Sequence, residues 1–378
     1  MKKTVGFLLL FATGSISAMA QGSIKASITL SNPLGIERSN EVISISWASV
    51  LSRYPDIDTA NFKVLDAATK KEIPFQLEHK GQPGIQNLLL QLTLKAKATV
   101  KLNVLAGKPA NVPSKTYARF VPERFDDFAW ENDKAAFRMY GKALETRKDN
   151  AFGMDHWSKK TDKLILNDWY KKDDYHTDHG EGMDYYHVGF TLGGGDIAPI
   201  LKDSIVYPKN YHHWKILDNG PLRSTFELGY DEWNVAGKAV KVVKRISLDA
   251  GSQMNRIEAV YQYNNSADLP VAIGIIKRGE PGLILMEEQK GILGYWEPQH
   301  GADGTTGVGT IVLGDKINMG ADQLHFLTYT TAKNNQPVIY YSGSVWDKAK
   351  EISSATQWFN YLINFKEKLA HPITVVLN

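Results

Sequence analysis

The chain has 378 residues, no cysteine, and a formal charge of +3 from 44 basic and 41 acidic side chains. That balance gives no electrostatic footprint for nucleic acid or a membrane surface. Without thiols there is no cysteine nucleophile, thiolate zinc site or iron–sulfur cluster. A chain this long can bury most of its unfolded surface without disulfides.

The first twenty residues, MKKTVGFLLLFATGSISAMA, carry a positive start at Lys2 and Lys3, a short apolar run, and an A-x-A site at Ala18-Met19-Ala20. This is the pattern of a signal peptide, cleaved after Ala20. The run is too short to span a bilayer, and nothing later reads as a transmembrane span. No cysteine follows the run, so a lipid anchor is excluded. The expected product is a periplasmic or secreted protein whose charge, less the two lysines, is about +1.

From residue 21 the pattern is strand-like. Segments 24–30, 41–50, 61–67, 88–94 and 98–107 are apolar and polar in alternation or short apolar runs, separated by Asn-Pro-Leu-Gly and Lys-Gly-Gln-Pro-Gly turns. They predict a small β-sandwich over 21–110, closed by a proline-bearing linker. The part from 115 to 378 is again β-rich, with long alternating strands at 224–235, 238–250 and 255–265 and shorter ones at 271–279, 310–315, 323–331 and 337–344. Helical spacing is clear only in 353–370, ahead of His371-Pro372 and a closing strand. The fold class is all-β, a small N-terminal sandwich plus large stacked antiparallel sheets.

The densest polar segment is YKKDDYHTDHGEGMDYYHVGF (170–190), with three of the ten histidines. So many polar groups cannot be buried without partners, so it reads as a loop and strand edge lining a wet cleft. His176, Asp178 and Glu181 offer nitrogen and oxygen ligands for a divalent metal such as Ca, Mn or Zn, although the spacing matches no established metal motif. His179, Tyr186 and His187 are proton-transfer candidates, and a polar loop without catalytic duty fits as well. Gly193-Gly194-Gly195 belong to no phosphate-binding motif and read as a sharp turn near a ligand.

Three further clusters follow. In 126–145, Trp130, Glu131, Asp133, Arg138 and Tyr140 place an indole, two carboxylates, a guanidinium and a phenol on a strand and its turn. Arg138 suits a substrate carboxylate or, equally, a structural ion pair. In 207–228, His213 and Trp214 precede a turn that leads to Arg223, a set suited to a sugar ring bearing a carboxylate and also to sheet packing. In 277–301, Lys277, Arg278, Glu280, Tyr295, Trp296, Glu297 and His300 gather around glycine and proline as at the rim of a cleft. No G-x-S-x-G elbow supports a hydrolytic serine.

The phrases WENDKAAFRMYG, HGEGMDYYHVGFTLGGG, LDNGPLRSTFELGYDEW and ISLDAGSQMNRIEAVY together resemble an exported bacterial family known as domain of unknown function 4861. The resemblance extends to YYSGSVWD and HPITVVL, nearly the whole mature chain. It implies a setting among polysaccharide-degradation genes, beside hydrolases of unsaturated uronides from pectin-like glycans. NGPLR and LDAGSQ also resemble the sheets of the galactose-mutarotase-like supersandwich, which implies a concave carbohydrate-binding face. The expected activity is β-elimination on an acidic oligosaccharide. Arg138 or Arg223 would take the uronate carboxylate, and His179, Tyr186 and His187 would move protons. Trp130 and Trp214 would form the sugar platform, with Glu131, Asp133, Tyr140, His213 and Trp296 beside them. A hydrolase or epimerase using Glu131, Asp133 or Glu181, or a non-catalytic glycan-binding protein, are the alternatives. The sequence gives no oligomeric state.

Overall fold

The computed structural model describes residues 24–264 and 267–378, and the expected signal peptide lies outside them. The chain is all-β, with antiparallel strands throughout and three α-helices among the described residues.

The smaller sandwich pairs a four-stranded sheet with a three-stranded one (Arg38–Ser46, Asn87–Leu94 and Phe75–Glu78). Ile28, Leu30, Val64, Leu88, Leu90 and Leu102 fill the space between them. One edge of the four-stranded sheet is supplied from far along the chain. Thr374–Leu377 pairs with Ile24–Ser31, setting Ile28 opposite Leu377 and Leu30 opposite Val375. The segment expected as one strand at 41–50 breaks at Ser46, and Trp47–Arg53 is a helix. Trp47 and Val50, three residues apart, turn the same face inward, which a strand cannot do.

The larger part is built from three sheets. An eight-stranded sheet runs from His213–Asn219 at one edge to Leu283–Glu287 at the other. It packs against a five-stranded sheet containing Gly194–Leu201, Leu269–Ile276 and His325–Ala332, and a second five-stranded sheet containing Asp127–Asn132, Ala136–Met139 and Asp155–Lys159. In Lys238–Asp249 the inward residues are Val240, Val242, Lys244, Ile246 and Leu248, the alternation of a half-buried strand. Lys244 is buried because Asp196, on the facing sheet, lies 2.6 Å from its ammonium.

The helix Ala355–Ala370 starts at Ser354, whose side chain accepts from the Gln357 N–H. It lies on the eight-stranded sheet, with Trp358 and Leu362 buried. Gly294 and Gly309 provide its seat, since a Cβ at either would crowd Leu362 at 2.9 and 2.6 Å.

Candidate active site

Both faces of the strands Asp127–Asn132 and Ala136–Met139 are covered, and every residue in them is buried. Several expected site residues therefore turn out to be interior. Trp130 has no exposed surface and donates its indole N–H to Asn255 Oδ1 at 2.7 Å, so it has no face to offer a sugar. Glu131 is also fully buried. It pairs with Lys159 at 2.8 Å and accepts the Ile165 and Leu166 N–H groups at 2.9 Å each, holding the start of the helix Leu166–Lys172. Asp133 accepts the Gly251 N–H at 2.6 Å.

Arg138 lies among three buried carboxylates, Asp155 at 2.5 Å, Asp184 at 3.0 Å and Asp127 at 3.7 Å, with the Tyr140 ring 5.1 Å below it. Its contacts are internal, so it is not a receptor for substrate carboxylate. One cation cannot neutralise three carboxylates in a low-dielectric interior. Burial raises all three acids, Asp127 to about 7. Asp155, which also accepts from the His156 and Trp157 N–H groups, is the best supported as an anion. Arg223 is likewise committed: it grips Asp249 through Nε and Nη2 and reaches Glu78 of the smaller sandwich at 3.2 Å. Trp214 stays 44% exposed on the edge strand, stacked on Phe120 at 5.1 Å, with His213 bonded to Asp231 beside it. Trp296 packs against the core under the long helix.

The expected metal ligands are drawn to separate partners. Asp178 holds Lys160 at 2.5 Å, Glu181 holds Lys163 at 2.9 Å, and His176 Nδ1 bonds the Asp184 carbonyl at 2.8 Å. Among the described residues no group of three or more His, Asp or Glu is arranged to hold a metal. His179 bonds Asp174 at the surface. The glycines at 193–195 do not serve a ligand either. A Cβ on Gly194 would overlap His156, which is buried against that backbone with Nε2 2.8 Å from the Gly194 carbonyl. Burial lowers the His156 imidazole to about 4, so it is neutral.

What the fold does bring together is the segment after Asp184 and the ends of two strands from different sheets. Arg278 follows Leu269–Ile276, and Glu297 follows Ile292–Trp296. Arg278 Nε donates to Glu297 Oε1 at 2.7 Å, and Nη1 donates to the His187 carbonyl at 2.6 Å. Nη2 has no protein acceptor among the described residues, and the side chain keeps 18% of its surface. The guanidinium stands over the Tyr186 ring, 4.3 Å from its centroid. Tyr186 is 4% exposed, its hydroxyl has no hydrogen-bond partner among the described residues, and burial raises it well above the usual phenol range. Glu297 is 6% exposed; burial raises its carboxyl to about 7 despite the opposing charge of Arg278.

Around this pair, Tyr185 bonds Thr306 at 2.7 Å and stacks on His300 at 5.3 Å, and the His187 side chain is exposed. Burial, with the charges of Glu297 and Asp347, raises the Tyr185 hydroxyl above the usual phenol range. An acid tuned near neutrality beside a fixed cation, under a rim of aromatic and imidazole rings, is equipped for proton transfer. Tyr186 and His187 are the sequence-predicted residues that reach this place. Arg278 and Glu297 were visible only as part of a rim. Their signal is a charged residue within two positions after a buried strand, next to a glycine or proline.

An all-β, multi-sheet protein with a buried acid–cation pair at its strand ends is the class so defined. Residues 30–375 match the family described as Domain of unknown function (DUF4861). "Uncharacterized protein P7" of Formosa agariphila is 30% identical over 397 residues, covering 98% of each chain. The chain belongs to the DUF4861 family. Among solved structures, an alpha-mannosidase and a glycosyl hydrolase family 38 protein, both from Enterococcus faecalis, are similar with TM-scores of 0.45 and 0.46 at 9% identity. Each match covers 93% of this chain, which spans about half of those chains (46% and 47%). A putative kojibiose phosphorylase from human microbiome has a TM-score of 0.37 at 11% identity, over 69% of this chain and 37% of its own.

Proposed function

We propose that the protein is an exported carbohydrate-active enzyme that breaks acidic oligosaccharides by β-elimination at a uronic-acid residue. The observation that carries this is the Glu297–Arg278 pair, a carboxyl raised to about 7 and bonded to a guanidinium with one nitrogen left over. In this reading Arg278 Nη2 takes the uronate carboxylate, which acidifies the C5 proton. Glu297, as carboxylate, removes that proton. The electron pair forms the C4–C5 double bond as the C4–O bond breaks, and His187 or His300 at the rim protonates the departing oxygen. The resemblance to proteins encoded beside uronide hydrolases supports the substrate class. A hydrolase reading would take Glu297 as one carboxylate and would need a second one facing the same glycosidic bond, for which Asp347 is the candidate.

Product chemistry separates the two. The mature chain is incubated with uronic-acid oligosaccharides, with and without EDTA, and ultraviolet absorbance and reducing ends are followed together. Elimination raises the absorbance of a conjugated double bond, with a rate that climbs as pH passes about 7 and Glu297 loses its proton. Glu297→Gln keeps the bond to Arg278 and lowers kcat by about 10²-fold or more. New reducing ends without absorbance would replace the lyase with a hydrolase, and silence in both channels would remove the enzyme reading.

A further inference from the structure

The polar segment 174–182 is left without a catalytic task by the site above, yet it shapes a second feature. Asp178 Oδ1 accepts the Gly180 and Gly182 N–H groups while Oδ2 holds the Lys160 ammonium at 2.5 Å. Lys160, so fixed, is one wall of an open cleft of about 670 Å³, within the size range of ligand sites. Gly180 lines it on the same side, and Asp347, Lys348, Lys350 and Ser353 line it opposite. No large apolar side chain faces this cleft. Neither Lys348 nor Lys350 has a carboxylate partner among the described residues; Lys348 is held instead by the Ala302 carbonyl. With Lys160 compensated by Asp178, the lining presents Lys348 and Lys350 against the single carboxylate of Asp347, a net excess of one positive charge.

The cleft is linked to the Glu297–Arg278 pair through the sheet: the Glu297 N–H bonds the Thr306 carbonyl at 3.0 Å, and Thr306 pairs with Trp346, the residue before Asp347. Trp346 is 2% exposed and forms the partition: Lys160 and Lys348 stand 5.6 and 5.7 Å from its ring centroid, and the Tyr185 ring is 6.3 Å away. Asp347 lines the cleft and its charge also reaches Tyr185. A hydrophilic cleft with a net positive lining, and a further ammonium held by a dedicated carboxylate, selects an anion carried on a polar body.

We propose that this cleft is a subsite for a second anionic group of the substrate, a carboxylate or a sulfate ester on a sugar neighbouring the one that reacts. The inference rests on the function proposed above and adds to it that the substrate is an oligosaccharide charged at more than one residue. Lys348 and Lys350 supply the attraction, Lys160 is positioned by Asp178, and the HTDHGEG segment exists to build that wall.

The test is calorimetric binding to the full mature chain carrying Glu297→Gln, so that turnover does not intrude. The probes are a tetrasaccharide of galacturonate, its methyl ester, and a sulfated galactan tetrasaccharide without uronate. With Lys348→Ala and Lys350→Ala added, affinity for the anionic probe that binds is expected to fall about tenfold, with a shallower salt dependence. Methyl-ester binding is expected to stay the same. A loss confined to the galacturonate identifies a carboxylate subsite, and one confined to the sulfated probe identifies a sulfate subsite. Unchanged affinity for an anionic probe that does bind overturns the subsite while leaving the Glu297 reading intact. No binding of either anionic probe overturns both.

Discussion

Asp127 is a carboxyl whose charge the fold discourages. It has no exposed surface, one oxygen has no hydrogen-bond partner among the described residues, and Tyr170 reaches the other only at 3.4 Å. Burial raises it to about 7, against the pull of Arg138 and Arg124 and with the help of Asp155. Between its ordinary value of 3.8 and about 7 the folded chain therefore holds a proton that the unfolded chain has released. Folding binds protons in that window, so stability is highest at its acid end and declines as pH rises through it. Asp127→Asn is neutral at every pH and should shallow that decline, seen as a smaller drop in thermal midpoint between pH 5 and pH 7.5. An identical drop in variant and parent would show that Asp127 titrates as it does in the unfolded chain. The sequence leaves Arg138 between a substrate carboxylate and a structural ion pair, and the structure decides for the second with three buried carboxylates. Alternation separates two faces of a strand without saying that both are buried, and here Trp130 on one face and Glu131 on the other are equally hidden.

The helix Leu166–Lys172 shows the same limit in an element. At seven residues it is too short for a helical period to stand out, and Ile165 before it provides no side-chain cap. Its first N–H groups are met instead by Glu131, more than thirty residues earlier, which also neutralises the fully buried Lys159. A cap supplied by tertiary structure leaves no local signature. The long helix 355–370 was legible because Ser354 and its apolar spacing are local. In the 170–190 segment the polarity predicts a wet loop and strand edge, but residues 170–172 end a helix, Tyr175, Asp184 and Tyr186 are buried, and the carboxylates Asp178 and Glu181 are taken up by Lys160 and Lys163. Glu131→Ala should cost about 3–5 kcal/mol in denaturant unfolding, because it leaves the buried Lys159 ammonium with the Asn132 and Lys163 carbonyls but no counter-charge, and strands two helix-end donors. A cost below about 1 kcal/mol, the worth of an exposed pair, would mean that the Asn132 and Lys163 carbonyls suffice to hold the Lys159 charge.

At the scale of the molecule, the two sandwiches are fastened by polar contacts rather than by a shared apolar core. Arg223 reaches Glu78, Gln76 accepts the Leu222 and Arg223 N–H groups at 2.9 Å each, and the Asp218 carboxylate takes the His79 and Lys80 N–H groups. The second fastening is covalent, since the chain returns from the larger part to complete the smaller one. Arg38, 1% exposed, donates to the Lys368 and His371 carbonyls at the end of the long helix. Thr374–Leu377 then closes the edge beside Ile24–Ser31, with Val375 and Leu377 packed on the core and the Asn378 N–H bonded to the Ser27 carbonyl at 2.9 Å. Removing residues 373–378 would leave that edge strand open and uncover Ile28 and Leu30, a template for pairing with other chains. The smaller sandwich would lose one of seven strands, and its remaining contacts with the larger part include the polar ones above and the Gln91 side chain on the Ala250 carbonyl. Scanning calorimetry of the truncated chain should therefore show an early transition split from the main one, with aggregation that grows with protein concentration. A single unshifted transition would show instead that the polar fastening alone makes the two sandwiches unfold together.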